Sequence, residues 1–134
     1  MNELQVSYYM TGKSISFKKN MTVQQAVEKL LRSEYIGGPV LDDAGHVIGW
    51  LSERDCLDKM LAASYYCELV ALVEDIMHKP SITVKADHSI VDLAQQMLKT
   101  KPKIYPVVDD DNKFIGLISR KGVLAAMNKQ LETC

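Results

Sequence analysis

Apolar residues recur along this chain at two different periods, and the periods alternate. Val23, Ala26, Val27, Leu30 and Leu31 fall three and four residues apart, the spacing of one helix face. Ile90, Leu93, Ala94, Met97 and Leu98 do the same further along. Ahead of each stripe the pattern predicts a short extended stretch, at Ser14 to Phe17 and Ser81 to Val84. After each stripe come two short apolar runs separated by an Asp/Asn/Gly turn. The first pair is Pro39 to Leu41 and Val47 to Leu51, around Asp42-Asp43-Ala44-Gly45. The second is Pro106 to Val108 and Phe114 to Ile118, around Asp109-Asp110-Asp111-Asn112. Both read as hairpins. Thr22 with Gln25, and Ser89 with Asp92, have the spacing of a capping box, which satisfies the orphan N–H groups of a helix start. A second helix is predicted to open near Ser52 and again near Ser119. The order β-α-β-β-α therefore occurs twice.

The two stretches are copies. Displaced by 67 positions, Val6 falls on Val73, Met10 on Met77, Leu31 on Leu98, Pro39-Val40 on Pro106-Val107, Gly49 on Gly116 and Ser52 on Ser119. From Val6 to Met60 no gap is needed, and 15 of 55 positions are identical. Coincident proline and glycine weigh most, because each constrains backbone geometry. One copy is too small to bury a convincing core alone. The expected fold is thus α/β: two motifs, at residues 6–61 and 75–128, packed as one pseudo-two-fold module with two small sheets flanked by helices. The stretch 62–74 between them is too apolar for a solvated linker. Leu69, Leu72, Val73 and Ile76 have helical spacing, so this stretch is expected to pack on the module or on a partner.

Composition narrows the class of function. Hydrophobic residues make up 47% and charged residues 25% of 134, as in an ordinary folded domain. Sixteen basic against seventeen acidic side chains leave a formal charge of −1, which argues against a nucleic-acid or membrane binder. No apolar run approaches the roughly 20 residues of a bilayer span. The N-terminus lacks the basic-then-apolar layout of a signal peptide. Cys56, Cys67 and Cys134 are widely spaced and are read as reduced thiols of a cytoplasmic protein, Cys134 as a loose terminal residue.

The repeat resembles a tandem pair of cystathionine-beta-synthase (CBS) motifs, a Bateman module. The resemblance is carried by Asp75-Ile76-Met77, by Gly38-Pro39-Val40 with Tyr105-Pro106-Val107, and by Val47-Ile48-Gly49-Trp50-Leu51-Ser52 with Phe114-Ile115-Gly116-Leu117-Ile118-Ser119. It implies an α/β pair with two clefts between the copies and a disc-like homodimer. It implies a regulatory ligand such as AMP, ADP, ATP or S-adenosylmethionine, no required cofactor, no catalysis by the module itself, and an output to another protein.

Gly49-Trp50-Leu51-Ser52-Glu53-Arg54-Asp55 matches the family's binding motif. A strand ending before Ser52 would aim a helix N-terminus, with its free N–H groups and partial positive charge, at a phosphate. Ser52 can donate to that phosphate, Arg54 can offer it a bidentate fork, and Asp55 can accept ribose hydroxyls. Ser52 and Asp55 equally form a capping box that needs no ligand. In the second copy Gly122 replaces the carboxylate. One competent site is therefore expected, with Arg120 and Lys121 either reaching phosphate across the cleft or forming a solvated first turn. The resemblance places the adenine slot at Ser14, Ile15 and Ser16 with Tyr35, Ile36, Gly37, Gly38 and Pro39. Gly37-Gly38 permits close approach, or is simply a flexible loop. In the second copy Lys103, Ile104 and Tyr105 hold this place, and Tyr105 is read as core. Tyr65-Tyr66 is an interface anchor or ordinary core.

His46, His78 and His88 have no metal-ligand spacing, and Asp109 to Asn112 is read as a solvated turn rather than a calcium loop. Cys56 is read as a buried thiol. Three functions stand: a regulatory module sensing an adenosine compound through a population shift between arrangements of its copies; a constitutive dimerisation scaffold with decayed clefts; and a metal-dependent or hydrolytic enzyme, for which no nucleophile and base are found. An apolar stripe on both second helices (Leu57, Met60, Leu61; Val123, Leu124, Met127) points to self-association.

Overall fold

The computed structural model describes residues 4–66, 70–79, 82–100 and 102–132. Cys67, Leu69, Ser81 and Cys134, singled out above, lie outside these residues. The chain is a mixed α/β protein with two three-stranded sheets flanked by helices. The first sheet holds β1 (Phe17–Lys18), β2 (Gly37–Leu41) and β3 (Val47–Ser52), with α1 (Val23–Leu31) and α2 (Glu53–Ser64). A short helix, α3 (Val73–Ile76), precedes the second sheet. That sheet holds β4 (Val84–Lys85), β5 (Ile104–Val108) and β6 (Phe114–Ser119), with α4 (Ile90–Lys99) and α5 (Arg120–Glu132). In each sheet the first strand runs parallel to the second and the second pairs antiparallel with the third. Even the irregularities repeat, with register shifts at Val40/Leu41 and at Val107/Val108.

Local chemistry explains the elements. Thr22 and Gln25 form the reciprocal capping box of α1. Ser89 Oγ accepts the Asp92 N–H, while the backbone of Ser89 is engaged in a bridge to Gln5. Both hairpin turns end on a residue in the left-handed region, Gly45 (φ 89°) and its twin Asn112 (φ 63°).

Several expectations are corrected. The first strands are shorter and begin later than Ser14, because their parallel register to β2 and β5 lasts two residues. Gly37-Gly38 is no loop: both lie in β2, paired with Ser52 and Leu51. The stretch 70–76 is not one helix. Ala71 accepts the Val23 N–H, Leu72 bridges Thr22, and helix begins only at Val73. Its backbone groups find partners at the start of α1, so helical spacing loses to pairing. Leu31 and Leu98, the last residues of their stripes, are exposed.

The chain forms two compact units, and these are not its sequence halves. One comprises residues 15–81; the other comprises 1–14 with 82–134. The leading segment of each copy belongs to the other copy's sheet. Val73 N–H and Glu74 N–H donate to the carbonyls of Met21 and Lys19. Their twins, Val6 and Ser7, donate to His88 and Ala86. Val6 lies in the core of its unit with Val84, Ile90, Leu93, Tyr105 and Ile118. Val73 is likewise fully buried, as are Phe17, Val23, Val40 and Leu51 of the 15–81 unit. Apolar burial at roughly 25 cal/mol per Å² is the main force holding each segment in place.

Candidate functional site

Each leading segment ends as a strap across the third strand of its unit. Trp50 N–H donates to the His78 carbonyl at 3.1 Å, and His78 N–H donates back to Trp50 at 2.9 Å. Thr11 and Leu117 repeat the pattern at 2.8 and 3.2 Å. The contact is close enough to require glycine beneath it. A Cβ on Gly49 would lie 2.6 Å from Met77 Sδ and 2.8 Å from the His78 carbonyl oxygen. One on Gly116 would lie 2.3 Å from the Thr11 carbonyl oxygen.

The strap brings His78 to the carboxylate picked out by sequence. Ser52 caps α2: its Oγ accepts the Asp55 N–H at 3.1 Å and donates to Asp55 Oδ2 at 2.8 Å. The Ser52 N–H donates to that same oxygen at 3.1 Å. Asp55 Oδ1 lies 2.8 Å from His78 Nε2. The Asp55 side chain is 14% exposed and that of His78 is 70% exposed. Every oxygen of the carboxylate thus has a partner within the unit. The other donors of this helix start are partly used as well, since Glu53 N–H goes to the Ile36 carbonyl at 2.9 Å.

The remaining predicted residues divide between places. Gly37 sits beside Ser52 in the hairpin, and a Cβ there would meet Trp50 Nε1 at 2.8 Å. Gly38 lies against Ile15 and Phe17, and Ile15, Gly38 and Pro39 are buried. Ser16 is half-buried, and its carbonyl accepts from Lys29 Nζ. Burial and the nearby Lys18 push the Lys29 ammonium below its ordinary pKa. Ser14 is exposed, bonds Gly12, and falls in the other compact unit. Arg54 is exposed and lines a groove of about 470 Å³ between α1 and α2, with Val27, Leu30, Leu31, Leu57 and Met60. Arg120 and Lys121 are exposed on the first turn of α5, where Arg120 N–H donates to Lys103. Tyr105 is buried, its hydroxyl bonded to Thr100, whereas Tyr65 and Tyr66 are exposed.

The structure supplies the reason for Gly122. A Cβ there would lie 2.9 Å from the Tyr9 carbonyl oxygen and 2.9 Å from Ile118 Cδ1. The position that carries a carboxylate in the first copy is occupied by backbone in the second. Sequence reasoning found Asp55 and its missing twin but passed over His78. The signal was available, because His78 is the twin of Thr11 and directly follows the Met10/Met77 pair.

Other candidate chemistry is local. Asp42 accepts from Ala44 N–H and His46 N–H, and His46 Nδ1 lies 3.0 Å from its Oδ2. These bonds, the backbone one of His46 foremost, hold the Asp42 carboxyl below its usual range. Cys56 is buried, and desolvation pushes its thiol up to about 11. Among the described residues no three of His, Cys, Asp and Glu gather to hold a metal, and no helix is long and apolar enough to cross a membrane.

Comparison with known proteins identifies the family. Residues 6–62 and 73–129 each match the CBS domain family. Among solved structures, CBS-pair protein CBSX2 from Arabidopsis thaliana is 28% identical with a TM-score of 0.81, covering 96% of each chain. A structure of CBSX2 in complex with AMP is 29% identical with a TM-score of 0.79, covering 93% of this chain and 96% of that one. The cytosolic domain of the Mg2+ channel MgtE in complex with ATP is 25% identical with a TM-score of 0.78, covering 92% of this chain and 48% of that one. An L-aspartate semialdehyde sulfurtransferase from Methanosarcina acetivorans is 30% identical over 110 residues, which are 81% of this chain and 21% of that protein. The chain spans about half the length of the first curated relatives it matches, from 43% to 60% of each.

Proposed function

The chain belongs to the CBS-domain family, and on that footing we propose that it is a regulatory module that takes an adenosine-containing ligand and passes the signal to a partner protein. The observation that carries this reading is the Ser52–Asp55 pair at the start of α2, beside Gly37 and Trp50. A carboxylate and a hydroxyl one helical turn apart, at a helix N-terminus, are the groups that ribose hydroxyls and a phosphate require. The AMP and ATP named for two relatives above 20% identity support the ligand class. Within the 15–81 unit, Ile15, Ser16, Gly37, Gly38 and Pro39 are proposed to form the adenine slot, and Arg54 a phosphate contact. The ligand acts by population shift, favouring the arrangement that binds it better. The module itself performs no catalysis and requires no cofactor.

The test is a thermal melt with AMP, ADP, ATP and S-adenosylmethionine, beside Asp55→Ala. A ligand at about 100 times its Kd stabilises by roughly 2.7 kcal/mol, a shift of several degrees for a chain of this size. The expected result is a shift with one compound that is lost in the variant. A shift that survives Asp55→Ala moves the site elsewhere.

A second reading, a homodimeric scaffold, is favoured by one observation. Leu31 and its twin Leu98 are 80% and 90% exposed, and Leu57 and its twin Leu124 are both 69% exposed. Leucine exposed at matching positions marks, on each unit, a patch that a second copy of the chain would cover. Absence of a shift with any adenosine compound would leave this as the function.

A further inference from the structure

We propose that His78 is a displaceable latch on the ligand-binding carboxylate, whose place on that carboxylate a ligand bearing ribose hydroxyls takes. This rests on the nucleotide reading of Asp55. Oδ2 of Asp55 is committed to Ser52, taking both its N–H and its hydroxyl. Oδ1 is the oxygen left for an incoming hydroxyl, and it faces the His78 imidazole at 2.8 Å. A carboxylate offers about four acceptor positions, so a vicinal diol can bind only by sharing or displacing these partners.

The ring can move without the strap. The His78 backbone is pinned to Trp50 by its N–H and its carbonyl, and neither bond involves the imidazole. The imidazole itself is mostly solvent-exposed, so a rotamer change carries it from the carboxylate into water at small cost. Release of the latch is therefore a side-chain event, while the strap and the Gly49 contact stay in place.

The two copies differ in a way that fits a dedicated device. Thr11 holds the equivalent strap position in the second sheet, where it bonds Leu117. The carboxylate it would have faced is Gly122, against the Tyr9 carbonyl. The copy without the carboxylate is also the copy without the histidine.

The experiment has two arms on the full chain. In the ligand-free protein, the His78 imidazole NMR signals are expected to shift in Asp55→Asn, while those of His46 and His88 hold. Unchanged His78 signals overturn the latch whatever the ligand. In the second arm, AMP and ATP are titrated calorimetrically, with the fluorescence of Trp50 as a second readout, into the parent, His78→Ala and His78→Gln. His78→Ala is expected to bind the ribonucleotide about threefold tighter, the size of one modest hydrogen bond removed from the carboxylate. His78→Gln, which keeps a donor, is expected to fall between. The dideoxyribose analogue of the same nucleotide is expected to gain nothing, because it has no hydroxyl to place on Oδ1. Equal or weaker ribonucleotide binding by His78→Ala, or an equal gain for the dideoxy analogue, overturns the latch while leaving the nucleotide reading intact. If neither AMP nor ATP binds the parent or His78→Ala, the nucleotide reading fails and the latch fails with it.

Discussion

A methyl group placed on Gly116 tests the exchanged strap directly. Its Cβ would lie 2.3 Å from the Thr11 carbonyl oxygen and 3.2 Å from Met10 Sδ. The sulfur belongs to a flexible side chain and can give way. The carbonyl cannot, because Thr11 is bonded to Leu117 in both directions. Overpacking of this kind costs about 1–3 kcal/mol, and losing either backbone bond adds about 1 kcal/mol. We therefore expect Gly116→Ala to destabilise by about 3 kcal/mol. Gly49→Ala should cost less, about 2 kcal/mol, because its nearest neighbour is the mobile Met77 sulfur and the His78 carbonyl is further off, at 2.8 Å. Gly12 is the internal control. A Cβ there meets nothing within 4 Å, so Gly12→Ala should be neutral or stabilising by up to about 1 kcal/mol. The assay is urea unfolding followed by far-UV circular dichroism, with thermal melts alongside. At roughly 4 °C per kcal/mol the Gly116→Ala midpoint should fall by about 12 °C. A Gly116→Ala protein that melts with Gly12→Ala would show that the strap does not lie on β6 and would refute the reasoning.

Three further outcomes are expected. Leu57→Glu with Leu124→Glu should lower the sedimentation mass of an assembled protein while leaving its circular dichroism unchanged, because both side chains are exposed within the chain. Cys56 should resist iodoacetamide in the native protein at neutral pH, read by peptide mass spectrometry, since its thiol is buried and its pKa is raised to about 11. Asp42→Ala should be less stable than the parent at neutral pH, with the gap closing in acid: a carboxyl whose folded pKa is lowered contributes stability above its unfolded value near 4, and loses it as pH falls through the folded one.

Much of the site was legible one residue at a time. The Ser52–Asp55 spacing predicts a cap, and the cap is present with both reciprocal bonds. Cys56 and Tyr105 are buried as read. These are local or periodic properties, decided by neighbours three or four residues away. Gly37-Gly38 was left open in the sequence because glycine pairs speak equally for a loop and for a strand that must approach another closely. Only the pairing of Gly37 with Ser52 decides between them.

The repeat, the order of elements, the helix caps and the turn positions were therefore determined by the sequence itself, because each depends on side chains close together along the chain. The tertiary structure decided which sheet each leading segment joins. Val6 and Val73 hold the same position in their copies, yet each is buried with the sheet of the opposite copy. No local pattern distinguishes packing on one's own sheet from packing on the twin's, since both sheets have the same strand order and register. The same exchange sets His78 against Asp55 and the Tyr9 carbonyl against Gly122, contacts that arise only when residues far apart in the chain are brought within a few ångströms.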